Sequence, residues 1–146
     1  MPKTVRAFGS ILLLLCGLTT NFAGAAEISQ TDANVRATKA AITWLKLVDQ
    51  GEYAASWQTA SSFFKARVTE AQWTQQVSSV RGALGLLISR KIKSAKYATT
   101  LPGAPDGHYV VIQYSTSFEH KQSAVETVTP MLDNDGDWRV SGYYIE

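Results

Sequence analysis

Cysteine and histidine are scarce: the 146-residue chain has one of the first and two of the second. The cysteine, Cys16, lies in an apolar run near the N-terminus. Once that run is removed, the chain has no thiol for a nucleophile, a zinc–thiolate site or a disulfide. His108 precedes an expected strand and His120 falls in an expected turn, with no second ligand nearby in sequence, so no metal site is expected. No serine stands in a Gly-x-Ser-x-Gly setting and no glycine-rich phosphate loop occurs. The acidic run Asp133-Asn134-Asp135-Gly136-Asp137 lacks the alternating ligands and terminal glutamate of a calcium loop, and reads as a polar turn. No cofactor is expected.

Residues 1–26 read as a secretory signal peptide. Lys3 and Arg6 form a positive start, Ile11 to Leu18 is apolar, and Ala23-Gly24-Ala25-Ala26 offers small residues for cleavage near Ala25 or Ala26. The apolar run is short for a bilayer span. Leu15 before Cys16 is not the small residue that a lipid-attachment cysteine requires. A periplasmic or secreted protein of a Gram-negative bacterium is expected, with no membrane span after cleavage. Residues 27–146 are expected to form one domain with its own core. The chain carries 14 Lys+Arg and 12 Asp+Glu, and removing Lys3 and Arg6 leaves 12 against 12. Bulk attraction to nucleic acid is therefore not expected.

Alternation marks the C-terminal half as sheet. Val110, Ile112, Tyr114, Thr116 and Phe118 occupy every second position and share a face. Asp135-Gly136 between two β-rich runs signals a hairpin. With that turn, Met131 faces Val140, Thr129 faces Gly142 and Thr127 faces Tyr144. A turn centred on His120-Lys121 places Val125 opposite Thr116 and Thr127 opposite Tyr114. The expected core face is then Val110, Ile112, Tyr114, Thr116, Phe118, Val125, Thr127, Thr129, Met131, Trp138, Val140, Gly142 and Tyr144. Glu126, Val128, Leu132 and Tyr143 fall on the outer face, although a one-residue slip would reverse part of this. Ile88 to Tyr97 reads as a fourth strand rich in Arg90, Lys91, Lys93 and Lys96, as edge strands often are.

Upstream, the 3.6-residue period dominates. Thr31 and Asp32 are candidate caps for a helix from Ala33 to Gln50, with Ala37, Ala41, Trp44, Leu45 and Val48 on one side and Gly51 as its stop. A shorter helix is expected from Tyr53 to Phe64. A third begins at Thr69-Glu70-Ala71-Gln72, a capping-box spacing, with Trp73, Val77, Val80 and Leu84 recurring after it. The fold class is α+β: three N-terminal helices packed on a curved, cone-like, four-stranded antiparallel meander.

The expected core face offers Tyr114, Thr127 and Tyr144 as hydroxyls that could orient a small ligand, with inward-pointing Arg90 as an anion-binding group. No catalytic residue is assigned. The alternative is an isomerase- or hydratase-like enzyme with Glu126 as its base. Apolar outer-face residues, Tyr109, Val111, Ala124, Val128, Leu132, Tyr143 and Ile145, suggest a homodimer packed sheet to sheet.

Several stretches resemble the bacterial family named domain of unknown function 4019. They include Ala41-Ile42-Thr43-Trp44-Leu45, Val48-Asp49-Gln50-Gly51-Glu52-Tyr53, Arg81-Gly82-Ala83-Leu84-Gly85, Leu101-Pro102-Gly103-Ala104-Pro105-Asp106-Gly107, Val125-Glu126-Thr127-Val128 and Gly136-Asp137-Trp138-Arg139-Val140. The resemblance implies an exported protein and supplies no catalytic residue. The order of helices then sheet is also similar to the cystatin-like, nuclear-transport-factor-2-like cone, which assigns no reaction. Together these readings suggest a non-enzymatic module of the cell envelope that binds an unidentified small molecule or envelope protein.

Overall fold

A computed structural model describes residues 28–146; the expected signal peptide and Cys16 lie outside them. Four helices precede four strands: α1 Gln30–Asp49, α2 Tyr53–Gln58, α3 Ser62–Arg67, α4 Glu70–Leu84, β1 Leu87–Ala98, β2 Tyr109–Phe118, β3 Lys121–Leu132 and β4 Trp138–Ile145. The strands form an antiparallel meander in the order β1-β2-β3-β4, curled but not closed. The fold is α+β, as its periodicities predict. No described helix is long and apolar enough to cross a membrane.

α1 lies against all four strands. Its buried face is Ala33, Ala37, Ala41, Trp44, Leu45 and Val48, a stripe at helical spacing. The cap is Ser29, so Thr31 and Asp32 sit inside the first turn instead of before it. Gly51 then reverses the chain at φ 77°, a left-handed conformation that glycine takes without a Cβ penalty. The expected helix from Tyr53 to Phe64 is two helices. It breaks at Thr59–Ser61 because Ser61 turns to the sheet: its N–H donates to the Val140 carbonyl, and its hydroxyl accepts from Phe64 N–H to start α3. The capping box of α4 forms as its spacing predicts, with Thr69 N–H donating to Gln72 Oε1 and Gln72 N–H to Thr69 Oγ1. Val80, expected on the core face of α4, is exposed; the buried stripe is Trp73, Val77 and Arg81.

The helices meet the sheet through aromatic rings. Trp44 lies 5.7 Å from Trp73 and 5.3 Å from Tyr143, and Phe64 meets Trp73 edge-on at 5.2 Å. Ser56, fully buried, joins them: its carbonyl accepts from Trp44 Nε1 at 2.8 Å and its hydroxyl from Trp73 Nε1 at 2.9 Å.

The strand register departs from expectation on β3. Ala124, not Val125, faces Thr116, and Glu126, not Thr127, faces Tyr114. The β2–β3 turn is Glu119-His120, one residue earlier than expected, because its backbone N–H groups are claimed by Leu86 and Leu84 carbonyls at the α4–β1 connection. The slip turns Glu126 and Val128 inward and Thr127 outward. At the next hairpin, Asp133 N–H donates to the Asp137 carbonyl, and the loop is Asn134-Asp135-Gly136 with Gly136 at φ 86°. Pro130 therefore faces Val140 and Met131 faces Arg139. A bulge then restores the expected pairs Thr129 with Gly142 and Thr127 with Tyr144, which lie on the outer face, while Tyr143 enters the core. Ala124, Val128, Leu132 and Tyr143 thus leave the apolar outer face that a sheet-to-sheet dimer would use.

Candidate functional site

Two core stripes end in a charge. On α1 the i+4 series Ala33, Ala37, Ala41, Leu45 continues to Asp49; on α4 Trp73 and Val77 continue to Arg81. Both charged groups point at the sheet and meet there, with Arg81 Nη1 2.9 Å from Asp49 Oδ1. Arg90 on β1 completes a chain. Its Nη1 and Nη2 donate to Asp49 at 2.7 and 3.0 Å, while its Nε and Nη2 donate to Glu126 at 2.6 and 3.0 Å. Glu126 is fully buried and receives two more hydrogen bonds, from Thr116 on β2 and Tyr143 on β4, each at 2.7 Å. Every strand and two helices contribute to this cluster.

The cluster balances two guanidiniums against two carboxylates. Burial opposes the Asp49 charge, but hydrogen bonds and positive charge from Arg90 and Arg81 outweigh it and hold its carboxyl below its ordinary value of 3.8. Tyr143 is pushed well above its ordinary 10.0, first by burial and then by the Glu126 charge. Each Glu126 oxygen accepts two hydrogen bonds, so its lone pairs are occupied by the protein itself.

These shifts set the pH limits of stability. Asp49, lowered in the folded state, contributes stability above its unfolded pKa that is lost as pH falls through the folded value. Tyr143, raised in the folded state, contributes stability below its unfolded pKa that is lost as pH rises. Melting temperature should therefore fall below about pH 4 and above about pH 10. Tyr143→Phe should lower the plateau and make the alkaline limb shallower; an equally steep limb in the variant would refute the assignment.

Arg90 points inward, and the anions it holds are Asp49 and Glu126. Tyr114 is also inward, 2 % exposed, and its hydroxyl has no hydrogen-bond partner. Burial raises its pKa, Arg90 opposes this and Glu126 adds to it. Tyr114 and Arg90 line one pocket of about 290 Å³ between α1 and β1, with Ile42, Leu45, Lys46 and Ile92. Thr127 and Tyr144 do not join them: they pair with each other on the opposite face, Thr127 buried with its hydroxyl unpartnered and Tyr144 53 % exposed. Across α1 a wider groove of about 460 Å³ passes Arg36, Lys39, Trp44 and Trp138, whose indole N–H lacks a partner. Among the described residues no group of three or more acidic, histidine or cysteine side chains is placed to hold a metal ion.

A family model described as "Protein of unknown function (DUF4019)" matches residues 40–143. The chain belongs to the DUF4019 family. No curated protein matches it. The stretch matched to DUF4019 contains Asp49, Arg81, Arg90, Thr116, Glu126 and Tyr143, so the whole ion cluster lies inside the family's domain. Sequence reasoning missed Asp49, Arg81 and Lys46 as site residues. The signal for the first two was present: a charged residue at the i+4 continuation of an apolar stripe points into the core.

Proposed function

We propose that this protein is a non-enzymatic binding module of the cell envelope, and that the α1–β1 pocket holds a small anion with an apolar body. The observation that carries the reading is Tyr114, a residue of the pocket wall whose buried hydroxyl has no partner. An unpaired buried hydroxyl is destabilising by about 1–3 kcal/mol, a deficit that a ligand acceptor relieves. Ile42, Leu45 and Ile92 give the pocket aliphatic walls. Lys46 stands at the same pocket and makes no ion pair among the described residues. The saturated carboxylate of Glu126 supports binding over base catalysis, since a base needs a free lone pair facing its substrate. Export to the periplasm rests on the signal-peptide pattern of residues 1–26.

Octanoate is a suitable probe, with octylammonium as its oppositely charged control. In methyl NMR, octanoate should shift the Ile42, Leu45 and Ile92 resonances and octylammonium should not. Lys46→Glu should weaken octanoate about tenfold, the scale of one charge-assisted hydrogen bond. Tyr114→Phe should weaken it less while leaving the fold at least as stable. Movement of the Trp138 indole resonance without the three methyl shifts would place the ligand across α1 and defeat the reading, as would no shift at all.

A further inference from the structure

Of the seven exposed large apolar residues among those described, Val80, Leu86 and Tyr144 stand apart and four gather on two elements. Val35 and Ile42 on α1 and Ile88 and Ile92 on β1 are 64, 43, 65 and 51 % exposed, and they lie on the two elements that meet along one side of the molecule. Ile42 and Ile92 border the same pocket, which makes the side continuous across the seam. Lysines interleave them. On α1 the order Val35, Lys39, Ile42, Lys46 follows spacings of four, three and four, one face of a helix. On β1, Lys93 follows Ile92 at a bulge, while Lys91, paired with Ser115, projects from the other face of this edge strand; all three are exposed.

None of these four lysines makes an ion pair among the described residues. One acid, Asp32, continues this α1 face three residues before Val35 and lies 3.9 Å from Arg36. Asp133, Asp135 and Asp137 gather around Arg139 at the hairpin leading into β4, the opposite edge of the sheet. Asp49 and Glu126, the acids nearest the seam's interior, are held by arginines. The side formed by α1 and β1, with Lys39, Lys46 and Lys93 against Asp32, is therefore cationic and apolar.

We propose that this α1–β1 side docks on an anionic lipid surface, with the isoleucines and Val35 entering the headgroup boundary and the lysines meeting lipid phosphates. Lysines edging exposed apolar side chains are the composition of an interfacial surface, where apolar burial and charge attraction act together. An edge strand held at headgroup depth keeps its unpaired backbone groups hydrated, so β1 can lie at such a surface without leaving bonds unmade. This docking goes beyond the small-ligand reading and does not need the pocket to be filled.

The test uses protein purified from the bacterium that exports it, with its N-terminus fixed by mass spectrometry, in sedimentation with vesicles of phosphatidylglycerol or phosphatidylcholine. Binding to phosphatidylglycerol should be at least tenfold tighter and should weaken as salt rises, since each surface lysine contributes about 1 kcal/mol near an anionic bilayer. Combined Lys39→Glu, Lys91→Glu and Lys93→Glu should abolish that preference; Lys46 stays, because it borders the pocket. Lys65→Glu with Arg67→Glu on α3 should keep it. Equal binding to both lipids, a preference that survives the three reversals, or no vesicle binding at all would overturn the proposal. Octanoate shifts retained in the triple variant would show that the two sites fail or stand separately.

Discussion

Glu126→Ala should destabilise the protein by about 3–5 kcal/mol, the effect of removing one partner from a buried ion pair. The alanine leaves the Arg90 Nε donor without its acceptor and strands the Thr116 and Tyr143 hydroxyls as well. Asp49 still holds the outer side of the guanidinium, which keeps the loss from growing further. Urea unfolding should show the midpoint falling with little change in slope. Arg90→Met with Glu126→Leu should recover more than half of the loss, because an apolar pair of similar volume replaces the charges together. Asp49 keeps Arg81 in that double variant. A single-variant loss under about 1 kcal/mol would mean that water reaches the cluster and screens it.

Trp44→Ala should be of similar size, about 3–5 kcal/mol, for a different reason. The indole is 4 % exposed and stands between Trp73 and Tyr143, so its removal opens a cavity where α1, α4 and β4 meet. It also takes the shorter of two donors from the buried Ser56 carbonyl, leaving the Thr59 hydroxyl at 3.3 Å. Trp44→Phe separates the two effects: it keeps most of the ring and loses the N–H, so about 1–2 kcal/mol is expected. Thermal unfolding followed by near-ultraviolet circular dichroism reads both variants, because the aromatic cluster dominates that signal. Equal losses for Phe and Ala would assign the effect to the hydrogen bond instead of the packing.

The helices were legible because their signals are local. The Thr69 capping box, the alanine stripe of α1 and the stop at Gly51 each depend on residues a few positions apart. The break after α2 was not, since Ser61 pairs with Val140, a residue far along the chain. β2 read correctly from its own alternation, and every one of Val110, Ile112, Tyr114, Thr116 and Phe118 is buried. β3 did not, because its turn is positioned by carbonyls of Leu84 and Leu86 that no hairpin rule includes. On β4 a longer turn and a compensating bulge returned two pairs to their expected partners but sent Tyr143 inward and Tyr144 outward. Of the candidate ligand residues, Tyr114 was placed by β2's clear parity, whereas Arg90 is drawn inward by Asp49 and Glu126 while the isoleucines beside it are exposed. Thr127 and Tyr144 inherited the slip.

The ion cluster also bears on how long a folded molecule lasts. Its bonds join positions 41 and 36 residues apart, from Asp49 to Arg90 and from Arg90 to Glu126. They close only after α1 has docked on a sheet whose three hairpins are each formed from neighbouring segments. Contacts that close late in this way are expected to contribute little at the folding barrier and to act on the escape from the native state. The Glu126→Ala variant should therefore refold at nearly the native rate and unfold on the order of a hundredfold or more faster, the whole of its lost stability appearing in one arm of the chevron. The cluster works as a latch whose worth is measured in lifetime.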